Sequence, residues 1–350
     1  MGGPYHSVKA TVLAFHREGI EVSILGTKDH PSQDSSALEY VRVPDIKIKA
    51  LRKWGPYNFH FSTKFITYWR AVKEVDCVSL QGVWMLNCLI VAFFALLQNN
   101  PYYFAIRGEF NDPGSLSSLD KRIIKPVVKY LFNRANFLQV LNPREENPLR
   151  MYGVQVPIKV IPNGIDTPEL EGGIKKEKIV LYIGRIHPMK GLTELIQAWN
   201  RVNLIGWKLV IAGDGEEGHK KEILREAVGN ESIEFTGRVI GESKVSLLRK
   251  SMWFVLPSFM EGMPMAVLEA MSYELPVMIS DECNLPMVFT ASAGLKVNTT
   301  VESIVTGLKY IESMDLEYYY TFANQAKKLV EDNFKWEDVV VQLLASFKTA

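Results

Sequence analysis

The chain has 350 residues and a mass of 39.7 kDa, beyond the size at which one hydrophobic core stays efficient, so two domains are expected. With 47% hydrophobic and 23% charged residues it is not a disordered protein, and its scattered Pro and Gly exclude collagen-like and low-complexity architectures. The net charge of +1 divides unevenly: residues 1–160 hold 20 Lys/Arg against 13 Asp/Glu, and residues 161–350 hold 20 against 26. Such asymmetry points to different partners for the two halves. An anionic membrane surface or an acidic acceptor suits the basic half better than nucleic acid, for which no motif is present. Cys77, Cys88 and Cys283 form no C-x-x-C motif and cannot all pair, which fits a reducing compartment. No apolar core follows Met1-Gly2-Gly3-Pro4, so no signal peptide is read. The longest apolar stretch, Val83 to Leu97, is interrupted by Asn87 and falls short of the ~20 residues that span a bilayer. The expectation is a cytoplasmic protein.

Short β-branched runs alternate with longer helical patterns, the mark of α/β architecture with parallel sheets. In the first half, 5–18 reads as a helix and 20–25 as a strand. Strands follow at 77–80, 102–106, 137–141 and 158–161, with helices at 84–97 and 120–133 between them. In the second half, strands at 179–183, 208–212, 233–235, 253–256 and 277–279 are separated by helices beginning near Lys190, Glu216, Glu242 and Met265. Two doubly wound units in tandem are expected. Pro162-Asn163-Gly164-Ile165-Asp166-Thr167-Pro168, followed by Gly172-Gly173, is linker punctuation. The expected domains are therefore 1–165 and 166–334, with a last helix at 335–350 that suits either.

Strand 179–183 runs into Gly184-Arg185, then His187-Pro188-Met189-Lys190-Gly191 and a helix. Ligands of open α/β sheets bind beyond the carboxyl ends of strands, where helix N-termini offer unpaired N–H groups. Arg185 and Lys190 placed there suit a diphosphate; the plainer reading is two solvated cations in a loop. After strand 253–256 come Glu261, in the loop, and Glu269, inside the next helix among apolar neighbours. A carboxylate in that setting needs a hydroxyl, amide or cation to satisfy it. The pair suits the hydroxyls of a ribose and a hexose, or is a capping Glu and a surface Glu. Gly213-Asp214-Gly215 and Gly237-Arg238-Val239 are strand-end turns whose ordinary role is structural.

Together these pieces resemble the family 4 glycosyltransferases, retaining enzymes of the GT-B fold. The order of Pro162-Asn163-Gly164-Ile165-Asp166, Gly184-Arg185 with Lys190, Gly213-Asp214-Gly215, Gly237-Arg238-Val239 and Glu261 to Glu269 follows the family, and the string P-S-x-x-E-G-x-P-x-x-x-L-E-A-M is its most specific part. The resemblance implies two Rossmann-like domains facing a central cleft, the first binding the acceptor and the second the nucleotide sugar. It implies that Arg185 and Lys190 hold the donor diphosphate and Glu269 the ribose. Glu261, with the backbone at Gly262 and Met263, meets the transferred sugar, while Arg238 and Val239 present backbone to the base. Gly184 and Gly213 line the same donor site. Gly2-Gly3 matches the family's glycine loop, and the helix near Trp336 crosses back onto the first domain. No D-x-D motif is present, in keeping with the family's usual independence of metals, and no cofactor is implied beyond a UDP- or GDP-linked donor.

Three departures stand out. The family's first apolar strand is absent before the glycine loop, which predicts a gap in the first sheet. Gln81 and Arg107 stand where many relatives carry histidines. Arg107 stays charged near neutral pH and has no use in proton transfer, but it suits a phosphate or an acidic acceptor; Glu109 is a weaker candidate base. Lys121, Arg122, Lys125, Lys129 and Arg134 on one helix, and Lys47, Lys49, Arg52 and Lys53 beside Leu51 and Trp54, suit peripheral contact with an anionic membrane or are solvated faces. His16 and His60 are unassigned, and Tyr318-Tyr319-Tyr320 is read as packing. The expected activity is retaining transfer of a hexose to a saccharide or lipid-linked saccharide in cell-surface polysaccharide biosynthesis, with Glu261, Arg185, Lys190 and Arg107 as catalytic candidates. The alternative is a non-catalytic GT-B protein that binds nucleotide sugar or acts as a scaffold; an epimerase ranks lower.

Overall fold

The computed structural model describes residues 3–28, 46–52, 62–110, 119–170 and 175–348. The chain divides into two compact units, Met1–Gly164 with Trp336–Ala350, and Ile165–Lys335. In the first, helix α1 (Gly3–Arg17) leads into strands β1 (Ser23–Lys28) and β2 (Lys47–Arg52), which pair in parallel. Then come α2 (Phe65–Lys73), β3 (Val78–Gln81), α3 (Leu86–Leu97), β4 (Tyr102–Ala105), α4 (Leu119–Phe132), β5 (Phe137–Val140), α5 (Glu146–Tyr152) and β6 (Ile158–Val160). Strands β3 to β6 form a parallel sheet in chain order, separate from β1 and β2. The described strands of this unit thus fall into two sheets rather than one ladder, where the sequence anticipated a gap.

Some boundaries differ from the sequence reading for local reasons. The strand expected at 20–25 runs from Ser23 to Lys28, because Gly19, at φ 75, ends α1 and the Ile20 amide is still bonded to Phe15 O. Residues 47–52, expected as a basic cluster, form strand β2, which exposes Lys47, Lys49 and Arg52 and withdraws Ile48, Ala50 and Leu51, the alternation breaking at Leu51. Lys53, Trp54 and His60 lie outside the described residues, as do Gly172 and Gly173.

The second unit comprises β7 (Ile179–Ile183), α6 (Leu192–Arg201), β8 (Lys208–Ala212), α7 (Glu217–Glu226), β9 (Ile233–Gly237), α8 (Gly241–Lys250), β10 (Trp253–Leu256) and α9 (Met265–Ser272). It continues with β11 (Val277–Ser280), a short α10 (Met287–Thr290), β12 (Gly294–Val297), α11 (Val301–Ser313) and α12 (Leu316–Asn333). All six strands are parallel, in the order β12-β11-β10-β7-β8-β9. Their apolar runs follow from burial on both faces: Phe254 pairs with both Leu181 and Val277 in the middle of the sheet. The chain winds outward from β7 through β8 to β9, then returns to the other side of β7 with β10. The carboxyl ends of β7 and β10 therefore border the point where winding reverses, the place where open α/β sheets take their ligands.

The last helix, α13 (Trp336–Lys348), belongs to the first unit. Strand residues alternate between faces. Leu80, Phe104 and Leu138 share a row on one face with the α3 and α4 core, whereas Tyr103, Ala105 and Phe137 point to the other. On that second face Tyr103 and Phe137 stack at 4.7 Å, and Phe347 of α13 meets both rings edge-on. Trp336, Val339, Val340 and Leu343 complete the cluster with Ala14 of α1. No helix among the described residues is long and apolar enough to cross a membrane. Trp336 lies so close to Gly164 that a Cβ there would come within 2.5 Å of its ring. Trp336→Ala is expected to destabilise the first unit by about 3–5 kcal/mol, read from urea unfolding followed by circular dichroism. A loss under 1 kcal/mol would mean that α13 is not held by this ring.

Candidate functional site

Beyond β7, Pro188–Lys190 forms a single 3-10 turn opened by His187, whose Nδ1 accepts from the Met189 amide at 3.2 Å. This turn is stitched to the loop after β10. Gly191, at φ 68, has no room for a side chain, since a Cβ there would sit 2.0 Å from Pro257 O. Met189 O accepts from Ser258 Oγ at 2.7 Å and from the Phe259 amide at 2.8 Å. The stitching brings Lys190 Nζ onto Glu261 Oε1 at 2.5 Å, with the side chains 21% and 10% exposed. Asn284 Nδ2 donates to Glu261 O from beyond β11, fixing the loop from its far side.

Arg185, earlier in the same loop, is exposed, and its carbonyl accepts from Tyr182 Oη at 2.8 Å. Burial, then Arg185, and further Lys190 hold the His187 imidazole below its usual pKa. Burial and the Glu261 carboxylate push the Tyr182 phenol up and raise the Cys283 thiol to about 12. The two cations and Glu261 therefore act on the same neighbours, while Tyr182 and Cys283 keep their protons and serve as structural groups.

Gly213 lies against Gly184: a Cβ on Gly213 would come within 1.9 Å of Gly184 O. Only glycine lets these strand ends approach so closely. Arg238 and Val239 directly follow β9; Arg238 is exposed and Val239 leans on the core. Gly262 and Met263 lead into α9, where Pro264 supplies no side-chain cap and no acid occupies the first turn. Glu269, on α9, is satisfied by Lys244 of α8 at 2.5 Å, the cation that its apolar flanks called for. The parallel sheet thus gathers Gly184, Arg185, Lys190, Gly213, Arg238, Val239, Glu261, Gly262 and Met263 at its carboxyl edge, with Glu269 on the helix that follows. Lys244, Asn284 and Tyr182 were missed by sequence reasoning. Their parts in the site are tertiary contacts, and no local pattern announces them.

Arg107 and Gly3 belong to the other unit. Gly3 is the first residue of α1, and Gly2 lies outside the described residues. Arg107 follows β4 in the left-handed region, φ 51, which a side chain of its size adopts only when its surroundings hold it there. Two carboxyls do so. Glu145, fully buried, accepts from the Gly108 amide at 3.1 Å and from Asn142 Nδ2 at 2.8 Å. Glu109 accepts from the Val83 amide at 2.8 Å, tying the β4 loop to the β3 loop. The guanidinium itself is received by amides: Nε donates to Gln81 Oε1 at 2.7 Å and Nη1 to Asn163 Oδ1 at 2.9 Å. The two residues that depart from the family pattern are thus bonded to each other, at the carboxyl ends of β3 and β4.

Burial raises the Glu145 carboxyl from 4.5 to about 7, against the lowering effect of the Gly108 and Leu141 amides and of Arg107. Between those values the unfolded chain ionises while the folded one keeps its proton, so stability falls as pH rises and levels off above 7. Relative to Glu145→Gln, the native chain is expected to lose roughly 3 kcal/mol from pH 4.5 to pH 8, measured by urea unfolding across that range. Parallel curves for the two proteins would refute the assignment.

A family model described as "Glycosyl transferases group 1" matches residues 169–329, and one described as "Glycosyl transferase 4-like domain" matches residues 2–164. The amylovoran biosynthesis glycosyltransferase AmsD of Erwinia amylovora is 36% identical over 109 residues, covering 31% of this chain and 30% of that protein. The UDP-Gal:alpha-D-GlcNAc-diphosphoundecaprenol alpha-1,3-galactosyltransferase of Escherichia coli is 32% identical over 148 residues, covering 37% and 38%. These alignments span about a third of each relative. Among solved structures, Anabaena Alr3699/HepE in complex with UDP superposes over 100% of this chain and 97% of its own, with a TM-score of 0.80 at 16% identity, a likeness of fold. Family models across both units, with this architecture, show that the chain belongs to the family 4-like glycosyltransferases of the GT-B fold.

Proposed function

We propose that the chain is a retaining glycosyltransferase moving a hexose from a UDP- or GDP-linked donor to a saccharide or lipid-linked saccharide in cell-surface polysaccharide biosynthesis. The observation that carries this reading is the Lys190–Glu261 pair at the point where the second sheet reverses its winding, with Arg185 earlier in the same loop after β7. Support for the acceptor class comes from relatives named for amylovoran biosynthesis and for a diphosphoundecaprenol acceptor. Support for a uridine donor comes from the UDP bound by the Anabaena protein.

In the proposed reaction Arg185 and Lys190 receive the donor diphosphate, and Glu261 accepts hydroxyl protons of the hexose in hydrogen bonds. The ribose hydroxyls take the Glu269 carboxylate, in exchange for or alongside Lys244. The bond from the anomeric carbon to the diphosphate oxygen breaks as the acceptor oxygen attacks from the same face. The acceptor proton passes to the departing diphosphate oxygen. The protein supplies orientation and fixed counter-charge rather than a strong base, and the two cations take the role that a metal would otherwise fill. Arg107 enters as a fixed charge on the first unit.

Saturation with UDP-glucose or GDP-mannose at a hundred times its dissociation constant is expected to stabilise the protein by about 2.7 kcal/mol. Arg185→Ala and Glu261→Gln are expected to cut transfer roughly 10²–10³-fold, and the product is expected to keep the donor's anomeric configuration by NMR. Tight nucleotide binding without turnover on any acceptor would favour the non-catalytic alternative instead.

Peripheral membrane contact belongs to the same proposal. Helices α2 and α3 pack side by side through Trp69 and Phe94, with ring centroids 5.4 Å apart. They leave Phe65, Ile66, Trp69, Phe93 and Leu97 exposed beside the exposed cations Lys64, Arg70 and Lys73. Apolar side chains interleaved with cations suit an anionic bilayer surface. Vesicles of phosphatidylglycerol are expected to retain the protein and vesicles of phosphatidylcholine to release it. Ile66→Glu with Trp69→Glu should lower retention at least tenfold; equal retention would remove the membrane from the proposal.

A further inference from the structure

The Arg107 guanidinium is a built cation without a matching anion. Arginine has five N–H donors, and two of them are used, both on neutral amide oxygens. The other three have no partner among the described residues. Glu109 and Glu145 are near enough for their charges to act on Arg107. Their carboxylates, however, accept from the backbone amides of Val83 and Gly108 and form no ion pair with the guanidinium among the described residues. The side chain is largely enclosed yet still reaches solvent. A cation that has given up much of its water gains most from an anion that restores two charge-assisted hydrogen bonds, and the guanidinium fork fits a carboxylate or a phosphate face-on.

Three features show that the position is specified. The backbone of Arg107 is held at φ 51, and Gly108 and Gly82 beside it adopt φ 81 and φ 106. The holding groups come from three other strand ends of the same sheet: Gln81 at the end of β3, Glu145 after β5 and Asn163 after β6. Asn163 is itself buried, 3% exposed, so the guanidinium has been given a fixed acceptor at each end of its bonded edge.

We propose that Arg107 is the residue with which the first unit recognises an anionic group, phosphate or carboxylate, on the acceptor. This inference rests on the transferase reading and deepens it by naming the substrate class. The donor diphosphate already has Arg185 and Lys190 on the other unit; Arg107, anchored wholly within the first, serves the second substrate. A diphosphate-linked saccharide and an acidic sugar both carry the required chemistry.

Calorimetric titration of the full chain carrying Arg185→Ala, Lys190→Met and Glu261→Gln, its fold checked by circular dichroism, isolates the site, since the donor cations are then gone and no enclosed carboxylate is left unpaired. Inorganic pyrophosphate and methyl glucuronide serve as probes, with methyl glucoside as the neutral control. At least one anion is expected to bind with 1:1 stoichiometry and the glucoside not at all. On the same background, Arg107→Lys, which keeps the charge and loses the fork, should weaken that anion at least tenfold, and Arg107→Gln should abolish binding. Where Arg107→Gln fails to fold by circular dichroism, Arg107→Lys decides. Pyrophosphate as the better probe assigns a diphosphate-linked acceptor; the glucuronide assigns an acidic sugar. Binding of neither anion, or binding indifferent to Arg107, overturns the proposal. Binding of UDP-glucose and GDP-mannose to the otherwise native chain keeps the two readings apart. If Arg107→Lys weakens the donor that binds tenfold, the anion is the donor's and the proposal fails; if neither donor binds the native chain, it is the transferase reading that fails.

Discussion

The ion pair between Lys190 and Glu261 organises the second unit's carboxyl edge. Two largely enclosed charges 71 residues apart in sequence are tolerable only together, because a lone buried charge loses its hydration without compensation. That requirement explains neighbours that otherwise look incidental. Gly191 gives up its side chain so that the Lys190 turn can lie on Pro257 O, and Met189 O accepts both Ser258 Oγ and the Phe259 amide. The backbone, rather than the long lysine side chain, sets the distance. In the proposed reaction a donor would meet Lys190 already held in place by Glu261, which leaves little reorganisation for the moment of reaction.

Much of this unit was legible because parallel strands buried on both faces read as uninterrupted apolar runs, and their ends carry the glycines and charges in a fixed order. Strand β7 and strand β10 were read with their observed bounds for that reason. The partner of Glu269 was not legible. Its apolar flanks showed that something must satisfy the carboxylate, but that the something is Lys244 depends on how α8 and α9 lie together. In the first unit, α2 escaped notice because Phe65, Ile66 and Trp69 face outward while Tyr68 and Val72 face inward. A helix apolar on both sides loses the one-sided stripe by which amphipathic helices are recognised. Strand β2 escaped for the opposite reason, since its outward cations dominate a six-residue pattern.

The departures at Gln81 and Arg107 looked like two separate losses in sequence and form one unit in space. A histidine can carry a proton near neutral pH; an arginine cannot. Exchanging one for the other removes a candidate acid or base and adds a permanent charge. That charge needs an acceptor on its Nε, which the Gln81 amide oxygen supplies at 2.7 Å. The second amide, Asn163, comes from the linker motif after β6, so the substitution is absorbed by groups on both sides. Neither amide neutralises the guanidinium, and the two nearby carboxyls are committed to backbone amides. In the proposed reaction the first unit would supply charge and orientation, and proton movement would fall to the substrates. In a reaction whose leaving group is a diphosphate, that division is workable, because the departing oxygen becomes basic just as the acceptor hydroxyl becomes acidic.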